Sequence, residues 1–151
     1  MNIIGSDSSK FFECAAIMRK YLPHIEFMPH CKIIYDDNRY YGLITVSGDT
    51  VMYDHIIVDK FVANPEIIFT VLTTLFSMGG IVNTFIEIDN AQAQRFVKGV
   101  GFINTGYLRQ TPKPLAIWSM TINEWQNNRI RRHFIEKQTL KQKTNTFRDI
   151  A

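Results

Sequence analysis

The chain of 151 residues reads as a single α/β domain, a mixed sheet covered by helices. Two observations predict this. Three strand-like runs in the first half are joined by the turn-forming segments Asp36-Asp37-Asn38 and Ser47-Gly48-Asp49, which makes them a meander. In the second half, apolar runs of strand length alternate with helical ones, and glycine and asparagine punctuate them in the order of a βαβ crossover. The length suits one domain able to bury about 68–70% of its unfolded surface.

Asp7 or Ser8 can start a first helix, in which Phe11, Cys14, Ala15, Met18 and Leu22 fall at helical spacing, and Pro23 ends it. His24 to Pro29 is an irregular or short helical link. Strands follow over Cys31–Tyr35, Tyr40–Val46 and Val51–Lys60. Pro65–Met78 reads as a helix, with Pro65 well placed at its first position and Gly79-Gly80 closing it. In the next strand, Val82–Ile88, Thr84, Ile86 and Ile88 alternate with Phe85, Glu87 and Asp89, which gives it unlike faces. Asn90 can cap the following helix by accepting a backbone N–H. Ala93, Phe96, Val97 and Val100 give that helix one apolar stripe, and Gly99 and Gly101 stop it. Phe102–Leu108 and Leu115–Asn123 complete the strands. Gln126 to Ala151 begins as a helix and frays after Gln142, where Lys, Thr and Asn replace apolar residues.

Composition narrows the class. Apolar and charged fractions of 46% and 21% are those of a folded soluble chain, which excludes a disordered tract. No run approaches the ~20 apolar residues of a membrane span. The start, Met-Asn-Ile-Ile-Gly-Ser-Asp, lacks the basic and apolar regions of a secretion signal. Cys14 and Cys31 follow no metal or redox spacing and read as reduced thiols in a cytosolic protein. Charge is segregated: residues 1–125 carry 10 Lys/Arg against 12 Asp/Glu, whereas residues 126–151 carry 7 against 2. The basic character therefore belongs to a C-terminal extension, 126–151, appended to a domain of residues 1–125.

The stretch from Ile86 to Gly106 closely resembles the second half of the GNAT (Gcn5-related N-acetyltransferase) fold. There a strand, an Asn, an Ala-rich helix and a Gly-Phe pair recur; here they are Ile86-Glu87-Ile88, Asn90, the Ala91–Val100 run and Gly101-Phe102. The resemblance covers about half the chain, from Val51 to Trp125. It implies one GNAT-like domain with a mostly antiparallel sheet of six to seven strands, helices on both faces and a basic helical extension. The His55 strand, the glycine-free loop after it and the ending Gly-Phe-x-x-x-Gly-x-x-Arg most resemble GNAT-like proteins of tailed bacteriophages. That resemblance implies a role in virion head assembly or DNA delivery (ejection), with phage structural or assembly proteins as partners. The corresponding location is the host bacterial cytoplasm or the virion itself. The alternative it implies is an active N-acetyltransferase using acetyl-CoA.

GNAT enzymes hold the acetyl-CoA pyrophosphate on an Arg/Gln-x-x-Gly-x-Gly/Ala loop at a helix N-terminus, where free N–H groups and the helix dipole meet the anion. The matching segment, Val62-Ala63-Asn64-Pro65-Glu66-Ile67, has neither glycine nor arginine. Pro65 offers no N–H, and Glu66 adds negative charge where the anion would lie. Many family members also carry a Tyr five residues before the Phe of Gly-Phe, as acid to the leaving thiolate; here that position is Val97. The expectation is therefore a non-catalytic protein with no cofactor. Positions left for a cofactor by the resemblance are Ile57, Val58, Asp59, Asn64 and Asn90.

Catalytic candidates are correspondingly few. Tyr53, His55, Ile57 and Asp59 share one strand face by alternation. His55, or Asp59 through a water, can deprotonate an amine; equally, His55 is a satisfied polar residue and Asp59 a strand-end cap. Tyr107 or Tyr41 can replace the missing acid only within hydrogen-bond reach of a leaving sulfur. The spacing of His24, His30, Cys31 and His55 matches no metal site. Gly99-Val100-Gly101 lacks the context of a dinucleotide loop. In the extension, Trp125, Arg129, Arg131, Arg132 and Phe134 form a candidate partner-binding cluster. Basic residues among aromatics suit nucleic acid, while Ile130, Phe134 and Ile135 suit docking on protein.

Overall fold

The structure, a computed structural model, describes residues 1–23, 25–36, 40–57, 65–109 and 112–150, with the backbone alone at 55–57 and 145–150. The elements run β1 (Asn2–Gly5), α1 (Ser9–Tyr21), β2 (Lys32–Asp36), β3 (Tyr40–Ser47), β4 (Thr50–Ile57), α2 (Pro65–Phe76) and β5 (Ile81–Glu87). They continue with α3 (Ala91–Val100), β6 (Ile103–Leu108), β7 (Leu115–Thr121), α4 (Ile122–Gln126) and α5 (Arg129–Ile150). The seven strands form one sheet in the order β1-β2-β3-β4-β5-β7-β6. Every pairing is antiparallel except β4 with β5, which α2 connects.

Local chemistry sets the element ends. Ser8 caps α1, its hydroxyl accepting from Lys10 N at 3.3 Å, and Asn90 caps α3, accepting from Ala93 N at 3.1 Å. Gly101, at φ 123°, turns the chain out of α3, and Phe102 N donates back to Val97 O at 3.0 Å. Two glycines allow α2 to return tightly to the sheet. A Cβ on Gly79 would lie 2.6 Å from Asp49 O, and one on Gly80 would lie 2.6 Å from Asp49 Oδ2. Gly80 N instead donates to Asp49 Oδ1 at 2.8 Å, which ties the β3–β4 turn to the start of β5.

The two sheet faces differ. One carries Ile44, Val51, Tyr53, Val82, Thr84, Trp118 and Met120, all buried beneath α2, α3 and Trp125 of α4. The other carries Ile33, Tyr41 and Leu43, which bury Phe11, Cys14 and Met18 of α1. That second cover stops short of the β5-β7-β6 end. None of Asn83, Phe85, Ile103, Thr105, Ile117 and Ser119 is buried there. Asn83, Ser119 and Thr105 are joined across that face by hydrogen bonds of 2.6 and 2.9 Å.

Three elements depart from expectation. β1 pairs with β2, Ile3 opposite Ile34, although four residues give too short a run to show a period. The final strand stops at Thr121 because Thr121 and Glu124 form a capping box: Glu124 N donates to Thr121 Oγ1 at 3.2 Å and Thr121 N to Glu124 Oε1 at 2.9 Å. The last helix continues to Ile150 instead of fraying after Gln142.

Phe102 is buried in the helix-covered core. Phe102→Ala should cost about 3–5 kcal/mol in urea denaturation. A loss below about 1 kcal/mol would show that this side chain does not fill the core.

Candidate active site

Parallel pairing between β4 and β5 covers only Thr50–Tyr53 against Ile81–Thr84. Beyond it the strands part. β4 stays with β3 as far as Ile57 opposite Tyr40, and β5 stays with β7 as far as Glu87 opposite Leu115. The sheet therefore opens along Asp54–Ile57, and backbone groups of β4 on that side have no β5 partner. Such an opening can take an extended chain as a strand would, through main-chain hydrogen bonds.

Asp54 is the first residue past the last β4–β5 pair. It lies opposite Leu43, hence on the α1 side of the sheet. Loss of water around its largely enclosed carboxyl raises its pKa from 3.8 to about 6. Tyr41, opposite Ile56, shares that face one pair further on, a diagonal neighbour roughly 7–8 Å away by ordinary sheet geometry. Asp54 thus borders the opening, whereas Tyr41, on β3, is separated from it by β4 and buried against α1. The sequence reading followed Tyr53, His55, Ile57 and Asp59 and passed over Asp54. The signal was present in the opposite alternation, Met52-Asp54-Ile56, which sets an acid between apolar side chains on a central strand.

The other candidates are distributed as follows. The backbone places His55 opposite Gly42 and Ile57 opposite Tyr40, on the Tyr53 side of the sheet. Val58, Asp59, Asn64 and His24 lie outside the described residues. Asn90 is engaged as the cap of α3. Tyr107, on β6, is separated from β5 by β7, roughly 10 Å across the sheet. Its hydroxyl accepts from Asn104 Nδ2 at 3.0 Å. Val97 is buried in the core, 3% exposed. Among the described residues no three His, Cys, Asp or Glu side chains are grouped to hold a metal. Burial raises the pKa of both cysteine thiols, Cys14 and Cys31.

The C-terminal cluster is divided. Trp125 is buried and stacks on Phe76, with centroids 6.0 Å apart. Phe134 stacks on Phe69 at 5.3 Å, which docks the first turns of α5 on α2. Arg131 Nη1 donates to Gln126 O at 3.3 Å beside a groove of about 270 Å³ lined by Phe69, Ile122 and Ile135. Arg129 and Arg132 are exposed. No described helix is long and apolar enough to cross a membrane.

No protein-family model matches the chain, and no curated protein sequence does. Solved structures do. A chimera of the Vibrio cholerae spermidine N-acetyltransferase SpeG and hSSAT aligns over 83% of this chain and 99% of its own, with TM-score 0.61 and 9% identity. The aminoglycoside N(6')-acetyltransferase of Legionella pneumophila aligns over 75% and 77%, with TM-score 0.55 and 20% identity. The aminoglycoside acetyltransferase AAC(6')-Ib, solved with coenzyme A, aligns over 65% and 68%, with TM-score 0.53 and 14% identity.

The fold is that of the GNAT acetyltransferases.

That fold implies coenzyme A at the start of the helix after the fourth strand. The described residues there do not fit a diphosphate. Pro65 has no N–H to give, and Glu66 sets a carboxylate in the first turn of α2.

Asp54 supplies a test of the site's electrostatics. In the unfolded chain it ionises near 3.8, and in the fold near 6. Below about pH 4 both states hold the proton. Between about 4 and 6 the unfolded state loses it first, so stability falls as pH rises and stays lowered above the folded value. Asp54→Asn should therefore be more stable than the parent at pH 7 by roughly 2–3 kcal/mol, an advantage that vanishes below about pH 4. Equal stability at pH 7 would place the carboxyl in water.

Proposed function

We propose that this chain is a bacteriophage GNAT-fold protein that works through protein contacts in head assembly or DNA delivery, without transferring acetyl groups. Val97 carries the reading. The position that supplies the thiolate acid in many family members holds an aliphatic side chain packed into the core, where no titratable group can be substituted without unpacking it. Pro65 and Glu66 at the start of α2 support it from the cofactor side. The uncovered β5-β7-β6 face supports it from the partner side, since exposed Ile103 and half-buried Phe85 and Ile117 are apolar surface available to another protein. The phage role follows the resemblance of the Gly101-Phe102 to Arg109 ending, and the partners would then be phage structural or assembly proteins. The host cytoplasm and the assembled particle are the matching locations.

One observation favours a second reading. A carboxylate with pKa about 6 at the open end of β4 is ionised at neutral pH yet more basic than an ordinary aspartate. There it could take the proton from an amine as that amine attacks an acyl carbon, as an N-acetyltransferase requires. The spermidine and aminoglycoside enzymes of the same fold act on amines, by name.

Calorimetry with acetyl-CoA separates the two. The non-catalytic reading expects a dissociation constant of about 1 mM or weaker. Micromolar binding, with acetyl transfer to a polyamine that Asp54→Asn lowers at least about 100-fold, would overturn it in favour of the enzyme.

A further inference from the structure

We infer that α5 is a nucleic-acid contact, in which the exposed cations Arg129, Arg132, Lys137, Lys141 and Lys143 take the phosphate backbone of a DNA duplex without reading its sequence. Nothing in this rests on whether the chain transfers acetyl groups or on its part in a virion. The positive excess of the chain is confined to residues 126–151, which carry 7 Lys/Arg and 2 Asp/Glu, while residues 1–125 carry a net charge of −2. Of these, Arg129–Ile150 form one helix of 22 residues, about 33 Å long.

The contacts described between α5 and the domain lie at its start. Ile130 and Phe134 pack inward, Phe134 on Phe69, and from Ile135 to Thr144 every side chain is exposed. The cations are not neutralised within the fold. Among the described residues the ion pairs are Lys10–Glu13 and Lys113–Glu87, neither of them on α5. Arg131 stands apart, half-buried and bonded to Gln126 O.

The same surface is poor for a protein partner. The aromatic side chains that would anchor one, Trp125 and Phe134, already stack inside the chain. Beyond the docked turns, the large apolar side chains described are Ile135 and Leu140. Five positions apart, they point to different sides of a helix, so the described side chains form no apolar stripe. What the helix does present is cations over about half its circumference, Lys137 and Lys141 on one side, Arg132 and Lys143 on the other and Arg129 between. That spread suits a helix lying in a major groove between two phosphate walls. A duplex carries one negative charge per ~1.7 Å of its axis, and neutralising it releases counterions, which favours contact by charge alone.

The full chain would be titrated into a fluorescently labelled DNA duplex and followed by anisotropy at low and moderate salt. Five phosphate contacts predict a fall in affinity of about 500-fold between about 50 and 200 mM salt. The triple variant Lys137→Ala, Lys141→Ala, Lys143→Ala changes only exposed side chains and should keep the parent's circular dichroism. With two contacts left, its fall over the same range should be about tenfold. No binding at the lower salt, or a parental salt dependence in the triple variant, would overturn the assignment. So would tighter capture by phosphatidylserine vesicles or by polyglutamate than by the duplex.

Discussion

The architecture depends on four residue pairs of parallel sheet. Among the described residues, Thr50–Tyr53 against Ile81–Thr84 is the only strand pairing between the meander and the crossover half, and α2 must span it. The seam is pinned at one end, where Asp49 receives Gly80 N and Asp49 O receives Ile81 N at 3.1 Å, contacts that a side chain on Gly79 or Gly80 would obstruct. It is released at the other end. There β4 follows β3 and β5 follows β7, so right-handed sheet twist and the separate covers of the two halves pull the strands apart. The opening, the largely enclosed carboxyl of Asp54 and the divided sheet faces all follow from a seam that is fixed at its start and short.

The chemistry of Asp54 and that of the start of α2 conflict. Desolvation makes Asp54 a better base than a surface aspartate, a property suited to accepting a proton from an amine. The start of α2 has Pro65 and Glu66 where an anion would need donors and positive potential. Val97, which the GNAT resemblance sets where many members carry an acid, is buried in the core. The positive excess of the chain lies instead on α5.

Much of this architecture was legible in the sequence. The alternation of Val82–Ile88, the Asn90 cap and Gly101-Phe102 are strong local signals, and tertiary structure agrees with each. β1 was not legible, because four residues pair by virtue of an edge that β2 provides. Thr121 and Glu124 did carry a capping signature, but the apolar run across Ile122 favoured a longer strand. Asp54 is not singled out by alternation alone, because which residues of β4 border an opening depends on where β4 leaves β5, a long-range fact. The fate of Trp125 and Phe134 was equally non-local, since nothing near them in sequence reveals that Phe69 and Phe76 of α2 wait to stack on them.

The parting of β4 from β5 can be read directly by amide hydrogen exchange followed by NMR. In β4, alternate amides face β3 and β5. Across Val51–Tyr53 both sets should exchange slowly, because both neighbours are paired. From Asp54 to Ile57, protection should alternate, with every second amide exchanging quickly into the opening. Uniformly slow exchange along the whole of β4 would mean that the sheet is closed there, and the account of the site would be wrong.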